Sequence, residues 1–156
     1  MDVLKKTLHE NNQASMFIGE YQHNLDAKGR LAVPAKFRPF LKKGAVVTKG
    51  LDGCLVLYPK VEWKKLADKL AALPINKANT RAFARLMLAG AMDVEVDRQG
   101  RIIIPEYLRT YASLQKRTVF AGLYNRLEIW DEAEWEKYKQ GTEKESTSIA
   151  EQLSEL

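Results

Sequence analysis

The sequence predicts a mainly β fold with flanking helices, of the α+β class, built from two copies of one unit within 156 residues. Two observations support this prediction. Short apolar runs end at proline or at tight-turn residues, which is typical of strands. Two ordered sequence blocks also recur at nearly the same offset, which indicates an internal repeat. A chain of this length is about one domain and buries a sizeable core without cross-links.

The repeat consists of two blocks, each present once in either half of the chain. Residues 26–41 and 97–112 share Asp, Gly, Arg, Pro and a later Arg at an offset of 71. Residues 50–63 and 122–135 share Gly, two Leu, Glu and Trp at an offset of 72. We therefore predict a flexible extension at 1–15, unit 1 at 20–63, a helical linker at 64–90, unit 2 at 91–135, and a helix end with an acidic tail at 136–156. The native chain is expected to start at Met16.

Strands are predicted at matching places in the two units. Leu31–Val33 and Ile102–Ile104 are apolar runs closed by proline, which cannot continue a strand ladder. Two further strands close each unit, and Asp52-Gly53 between the first such pair is a strong hairpin signal. The other predicted strands are Met16–Glu20, Ala45–Lys49, Cys54–Tyr58, Thr118–Ala121 and Arg126–Trp130.

Helical spacing appears after each proline and between the units. Pro34 and Pro105 suit the first turn of a helix, and the apolar residues that follow them recur at helical intervals. The linker predicts amphipathic helices at Val61–Leu73, ended by Pro74, and at Thr80–Ala91. Asp131 is predicted to cap a helix through Tyr138. The polar tail from Gly141 is expected to fray, although Ile149 and Leu153 have helical spacing.

Charge is unevenly distributed along the chain. Lys and Arg total 25 against 20 Asp and Glu, a net charge of +5. Residues 142–156 carry a net charge of −3, whereas residues 16–141 carry +8. A body this basic favours an anionic partner, and nucleic acid is the first candidate. No run of about 18 apolar residues is present, so no membrane-spanning helix and no membrane partner are expected.

A doubled motif, D-x-x-G-R followed by three apolar residues and proline, carries the predicted chemistry. It starts at Asp26 in unit 1 and at Asp97 in unit 2. Glycine permits the positive φ of a tight turn, and aspartate accepts hydrogen bonds from backbone N–H groups or pairs with arginine. A structural turn with an internal ion pair is one interpretation. A cationic loop whose arginine binds phosphate or a guanine edge is the other.

The string from Leu25 to Arg38 resembles the DNA-binding unit of AbrB-type transition-state regulators. Two such units in one chain, opened by Met16-Phe17-Ile18-Gly19, resemble the MraZ family over residues 16–140. The resemblance implies one swapped-hairpin β-barrel, a pseudo-dimer formed within a single chain. It also implies a ring-shaped homo-oligomer. That ring would bind direct repeats in double-stranded DNA upstream of its own operon, the bacterial division and cell-wall gene cluster, as a transcriptional regulator.

The resemblance also assigns roles to individual residues. Carried over by position, the DNA-facing residues are Arg30 and Arg101, with Lys28 and Arg98 beside them. The chemistry of the motif itself makes Asp26, Gly29, Asp97 and Gly100 the turn residues. Lys36, Arg38 and Arg109 lie on predicted helices, where a solvated face is the default and a phosphate contact the alternative. Unit 2 departs from unit 1 at Gln99, Glu106 and Tyr107, which replace Lys28, Ala35 and Lys36.

Residue types needed for other functions are scarce. One cysteine, Cys54, and two histidines, His9 and His23, make neither a disulfide nor a usual zinc site. Asp26 and Asp97 each precede an arginine by four residues, so they should be ionised rather than catalytic. We therefore expect no enzyme activity, no cofactor, no metal and no small-molecule substrate. A reducing cytoplasm fits this cysteine usage, and the resemblance to a DNA-binding family implies association with the nucleoid.

Two other functions remain open from sequence alone. A ring-forming scaffold would use the linker helices and the acidic tail to bind proteins, and its basic loops would be incidental. An oligonucleotide-binding barrel would bind RNA, but no row of aromatic residues lies on one predicted strand face. Trp63 and Trp135 occupy equivalent helix positions, and core packing is favoured there over base stacking.

Overall fold

The computed structural model describes residues 16–155, so the predicted extension at 1–15 lies outside the described residues. The strands are β1 Phe17–Asn24, β2 Arg30–Ala32, β3 Ala45–Lys49, β4 Leu55–Pro59, β5 Met92–Val94, β6 Arg101–Ile103, β7 Arg117–Tyr124 and β8 Leu127–Asp131. The α-helices are α1 Lys60–Ala71, α2 Ala78–Ala84, α3 Glu106–Tyr111, α4 Glu132–Lys144 and α5 Ser146–Glu151. A 3₁₀ helix spans Ala35–Leu41, and a π-helical turn spans Arg85–Ala89.

The two copies interleave in one antiparallel sheet. Its strand order is β1-β7-β8-β4-β3-β5, and β2 and β6 form a separate two-stranded ribbon. The first strand of each copy pairs with the third strand of the other, β1 with β7 and β5 with β3. At the centre, Val56 of β4 lies opposite Glu128 of β8, its equivalent in the repeat. The mixed α+β class and the tandem units are therefore confirmed. The sheet is open within residues 16–155, and barrel closure stays a prediction.

The core lies between the six-stranded sheet and the β2–β6 ribbon. Leu31 and Ile102, at the centre of the ribbon, are fully buried. They join one continuous cluster to which both copies contribute. Its fully buried large side chains are Phe17, Leu31, Phe37, Leu41, Leu55, Leu57, Ile102, Ile104, Leu108, Phe120, Leu127 and Ile129. Because the cluster is shared, neither copy has a separate core, and the two units form one domain.

The helix after each ribbon strand differs between the copies. In unit 1 it is a 3₁₀ helix with Pro39 inside it, whereas in unit 2 it is the α-helix α3. Proline lacks the backbone N–H that an α-helical hydrogen bond needs. Unit 2 has Thr110 at the equivalent position, so its turn closes as a regular α-helix. The shared feature is burial, since Phe37 and Leu108 both reach the core.

The C-terminal segment differs from its prediction. The expectation that the tail frays from Gly141 is wrong, because α4 continues to Lys144 and α5 follows it. The Asp131 side chain caps α4 by accepting a hydrogen bond from the Glu134 N–H at 3.3 Å. The second linker helix ends at Ala84 and passes into the π-turn. Across residues 16–155, every helix is too short or too polar to cross a lipid bilayer.

Candidate nucleic-acid interface

The first D-x-x-G-R loop is a closed turn organised by Asp26. One carboxylate oxygen accepts from the backbone N–H groups of Lys28 and Arg30 at 2.9 and 2.8 Å. The other oxygen accepts from Arg30 Nε at 2.6 Å. Gly29 takes a φ of +83°, a region that glycine enters without steric cost. The turn holds the Arg30 side chain in place and leaves its terminal nitrogens free of hydrogen bonds to the described residues.

The second loop repeats this arrangement with a looser ion pair. Asp97 accepts from the backbone N–H groups of Gln99 and Arg101 at 2.8 and 2.9 Å, and Gly100 has a φ of +79°. Arg101 Nε lies 3.4 Å from the Asp97 carboxylate, and its terminal nitrogen donates to the Gln99 side chain. Gln99 replaces the Lys28 of unit 1. The two loops are therefore alike in backbone and differ in how each holds its arginine.

The β2–β6 ribbon connects the two loops directly. The Ile104 N–H donates to the Gly29 carbonyl at 2.8 Å, and the Val33 N–H donates to the Gly100 carbonyl at 2.9 Å. Each loop is therefore bonded to the strand end of the other copy. The two loops lie at opposite ends of the ribbon. The ribbon between them is four residues of extended chain long, which corresponds to roughly 13 Å.

Both motif arginines lie on the outward face of this ribbon. Because successive side chains of a strand point to opposite faces, burial of Leu31 and Ile102 turns their neighbours outward. The outward residues are Arg30, Ala32, Arg101 and Ile103. The two arginines are diagonal neighbours, with Cα atoms about 7–8 Å apart. Two loops separated by 71 residues in sequence thus present their arginines on one surface.

Sequence reasoning missed Ile103 as part of this surface. Ile103 is 61% exposed, directly opposite Arg30 and two residues along β6 from Arg101. A continuous run of three isoleucines is typical of a strand that is buried on both faces. The pattern therefore did not predict that the middle residue, Ile103, faces outward. The two-residue periodicity counted from Arg101 was the available signal, since Arg101 and Ile103 share a face.

Arg38 and Arg109 lie behind the loops of the opposite copies. Arg38 Nε donates to the Val33 carbonyl at 2.9 Å, and its guanidinium lies directly against Gly100. The Arg109 guanidinium packs less closely on Gly29, where an added Cβ would lie 3.2 Å from Cζ. Arg109 Nε is buried and has no hydrogen-bond partner among residues 16–155. Each loop therefore rests on an arginine of the other copy, which sequence alone did not predict.

The remaining basic candidates fall into two groups. Lys28 and Arg98 are exposed at the tips of the two loops. Lys36 is also exposed, but its Nζ donates to the Tyr21 hydroxyl at 2.6 Å and lies 5.0 Å from the centre of that ring. Lys36 is therefore tied to β1, whereas Lys28 and Arg98 extend the cationic surface around the ribbon.

The other residues considered from sequence have structural surroundings. Cys54 is fully buried, and burial raises the pKa of its thiol. Burial also lowers the pKa of His23, which packs edge-on against Phe120. Trp63 and Trp135 are half-buried against Tyr58 and Trp130, respectively. Packing therefore accounts for both tryptophans.

The loop carboxylates predict an acid-sensitive component of stability. Hydrogen bonds from the Arg30 and Arg101 backbone N–H groups lower the pKa of Asp26 and Asp97 below the ordinary value of 3.8. A carboxylate whose pKa is lowered by folding stabilises the folded state fully at a pH above its ordinary, unfolded-state pKa. This stabilisation is lost as the pH falls through the lowered, folded-state pKa. We expect melting temperature to fall less steeply in D26N/D97N than in the wild type between about pH 4 and pH 2. Parallel profiles would contradict this expectation.

Comparison with known proteins gives consistent matches over nearly all of the described chain. The family model described as "MraZ protein, putative antitoxin-like" matches twice, at residues 16–86 and 87–155. A relative from Pediococcus pentosaceus, "Transcriptional regulator MraZ", is 53% identical over 138 residues, covering 88% of this chain and 96% of the relative. Relatives of the same name from Desulforamulus reducens and Natranaerobius thermophilus are each 49% identical. They cover 90% and 88% of this chain and 99% and 96% of their own lengths, respectively.

Proposed function

Because this chain belongs to the MraZ family, we propose that it is a sequence-specific DNA-binding transcriptional regulator that reads DNA with the β2–β6 ribbon. The observation that carries this proposal is the placement of Arg30 and Arg101 on one outward face. The names of its relatives support the regulatory part of the proposal. The net charge of +8 on residues 16–141 supports an anionic partner.

The dimensions of the ribbon suit the major groove of DNA. That groove is about 12 Å wide and admits a two-stranded β-ribbon. The guanidinium forks of Arg30 and Arg101 would each take the O6 and N7 atoms of a guanine. Ile103, which lies opposite Arg30, would pack against a neighbouring thymine methyl group. Lys28 and Arg98 would contact phosphates and so contribute affinity without sequence preference.

Arg38 and Arg109 fit a supporting role in this interface. Both side chains are half-buried, and each guanidinium adds a positive charge directly behind a loop glycine of the other copy. A phosphate bound at one loop would therefore meet cations from both copies. In this proposal neither unit makes a complete DNA-binding loop alone, which gives a physical reason for two copies in one chain.

The assembly and the target follow from the family resemblance. We propose a ring-shaped homo-oligomer, associated with the nucleoid, that binds direct repeats upstream of its own operon in the division and cell-wall gene cluster. We also propose that the sheet and the ribbon act as one swapped-hairpin β-barrel. Several weak sites on one ring that engage spaced repeats raise the overall affinity far above that of a single loop.

Genome-wide capture of DNA bound to the full-length protein tests this function. The wild-type protein should enrich a short repeated sequence, including the region upstream of its own gene. The matched control is R30A/R101A, which keeps the loop aspartates and glycines. If the wild type and this variant recover the same unspecific DNA, the proposed function is wrong.

A phosphate contact by Lys28 should be visible in the salt dependence of binding. We expect Lys28→Ala to weaken binding to specific and unrelated DNA by similar factors, and to reduce the slope of log affinity against log salt by about 1. Fluorescence anisotropy over a series of salt concentrations measures this slope. Lys43→Ala, an exposed lysine outside both loops, should leave it unchanged. An unaltered slope for Lys28→Ala would remove this residue from the interface.

A protein-binding scaffold is the second candidate function. The observation that favours it is the exposure of every residue from 141 to 155, although much of this segment is helical. In the capture experiment, a scaffold would assemble normally and retain no specific DNA.

A further inference from the structure

The C-terminal tail, residues 141–155, is a largely helical segment that is exposed throughout and packs on no other element among residues 16–155. α5 spans Ser146–Glu151, and the Leu153 N–H donates to the Ala150 carbonyl at 3.1 Å, which extends the helical turn. Ile149 of α5 and Leu153, two residues beyond its end, are four residues apart and are 43% and 53% exposed. Short isolated helices are marginal in water because most helical stability in proteins comes from packing of an apolar face. Among the residues that the structure describes, the tail therefore has no surface on which to pack.

The two linker helices, α1 and α2, form an apolar groove that could receive apolar side chains such as those of the tail. Leu70 of α1, Leu73 just beyond the end of α1, and Phe83 of α2 line it, with the aliphatic parts of Lys69, Asn79 and Thr80 around them. The groove volume is about 380 Å³, near the lower limit for small-molecule pockets, and no convergent polar groups line it. Phe83 is 38% exposed at its edge. The groove thus suits apolar side chains of a helix better than a polar small molecule.

The charges of the two segments are opposite. Residues 60–85, which form the groove, contain seven basic and two acidic residues, a net charge of +5. Residues 142–156 have a net charge of −3. Lys69 lies at the groove itself, whereas Glu145 lies one helical turn before Ile149, on the apolar side of the tail. Opposite charge on two unpartnered apolar surfaces favours their association and sets its orientation.

The groove and the tail lie over different halves of the sheet. α1 packs on β3 and β4, whereas α4, which leads into the tail, packs on β7 and β8. Lys139 and Trp135 of α4 also bind Glu20 of β1, at 3.2 and 2.8 Å, which holds α4 at that end. Within residues 16–155, one chain therefore presents both surfaces at separate places, and the tail does not cover the groove.

We propose that the α1–α2 groove of one copy binds the C-terminal tail of the next copy, with Ile149 and Leu153 inserted beside Phe83. The contact is heterologous, since it joins two different surfaces of the same chain, and repeated contacts of this kind close into a ring when the rotation permits. This inference rests on the self-association proposed above and names the surfaces that make it.

Single substitutions test the two surfaces separately in the full chain. Phe83→Glu places a charge in the groove, and Leu153→Glu places one on the tail. Each variant should have the mass of a single chain by size-exclusion chromatography with light scattering, under conditions in which the wild type has a multiple of that mass. Leu51→Glu, at a 61% exposed hairpin position, is the matched control and should keep the wild-type mass. Circular dichroism verifies folding, and Leu153→Glu cannot disturb the core because Leu153 is outside it.

Mixing the two variants gives the decisive result. A pair of chains with one defective groove and one defective tail retains one intact contact, so the mixture should form dimers and nothing larger. Wild-type mass in either single variant, or in the mixture, would overturn the proposed contact. A wild-type protein that is itself a single chain, with its groove protected from hydrogen exchange by its own tail, would also overturn it. Each of these results would overturn the contact alone. If the wild type still binds DNA and Arg30→Ala does not, the proposed regulatory function is retained.

Discussion

Arg30→Ala should reduce affinity for the upstream DNA by roughly 5- to 150-fold, because a bidentate arginine–guanine contact contributes roughly 1–3 kcal/mol. We expect Arg101→Ala to have a similar effect, since the two side chains share one face of the ribbon. In an oligomer the loss recurs at every site, so mobility shifts on repeated operators should nearly disappear. Arg30→Lys should recover only part of the affinity, because lysine keeps the charge without the planar fork.

The fold should survive these changes. Arg30 pairs with Asp26 at the surface, and exposed ion pairs contribute about 0–1 kcal/mol. The Asp26 carboxylate also keeps its backbone hydrogen bonds after Arg30 is removed. Melting temperatures of both alanine variants should therefore remain within a few degrees of the wild type. Unchanged mobility shifts in both variants would refute the assignment of these arginines to the DNA interface.

Gly29→Ala should be far more destabilising than Gly53→Ala, although both glycines have a φ near +80°. At Gly53 nothing lies within 4 Å of an added Cβ, so only backbone strain of roughly 1–2 kcal/mol is expected. At Gly29 the Cβ would lie 2.8 Å from the Ile104 carbonyl oxygen, which belongs to the ribbon and cannot move independently. Overpacking adds roughly 1–3 kcal/mol, and the total is roughly 2–5 kcal/mol.

Urea unfolding of the two variants measures this difference at matched φ. Gly29→Ala should also lose DNA binding, because the ribbon can relieve the clash only by displacing the loop that holds Arg30. Gly53→Ala should bind DNA as the wild type does. Equal losses of stability in the two variants would show that the close approach of Ile104 carries no cost.

Local features of the sequence were sufficient to place most elements. Proline after the short apolar runs ends β2 and β6 within one residue of prediction, and Ala45–Lys49 is a strand with the predicted ends. Asp52 and Gly53 both have positive φ, as the predicted hairpin requires. Each of these outcomes depends on neighbours along the chain, so the residue types themselves carry the information. The tail beyond Gly141 was mispredicted because its polar composition suggested fraying.

The sequence by itself determined that the protein has two related units, a basic body, and an arginine after each turn glycine. Only the tertiary structure decided how the copies combine. Equivalent strands of two similar units can pair within a copy or between copies with the same local pattern, and long-range burial of the shared core selects among these pairings. That selection buries Leu31 against the other copy, turns Arg30 and Arg101 outward together, and places Arg109 behind Gly29. The proposed DNA-binding surface is therefore a product of packing between the copies, and neither copy contains it alone.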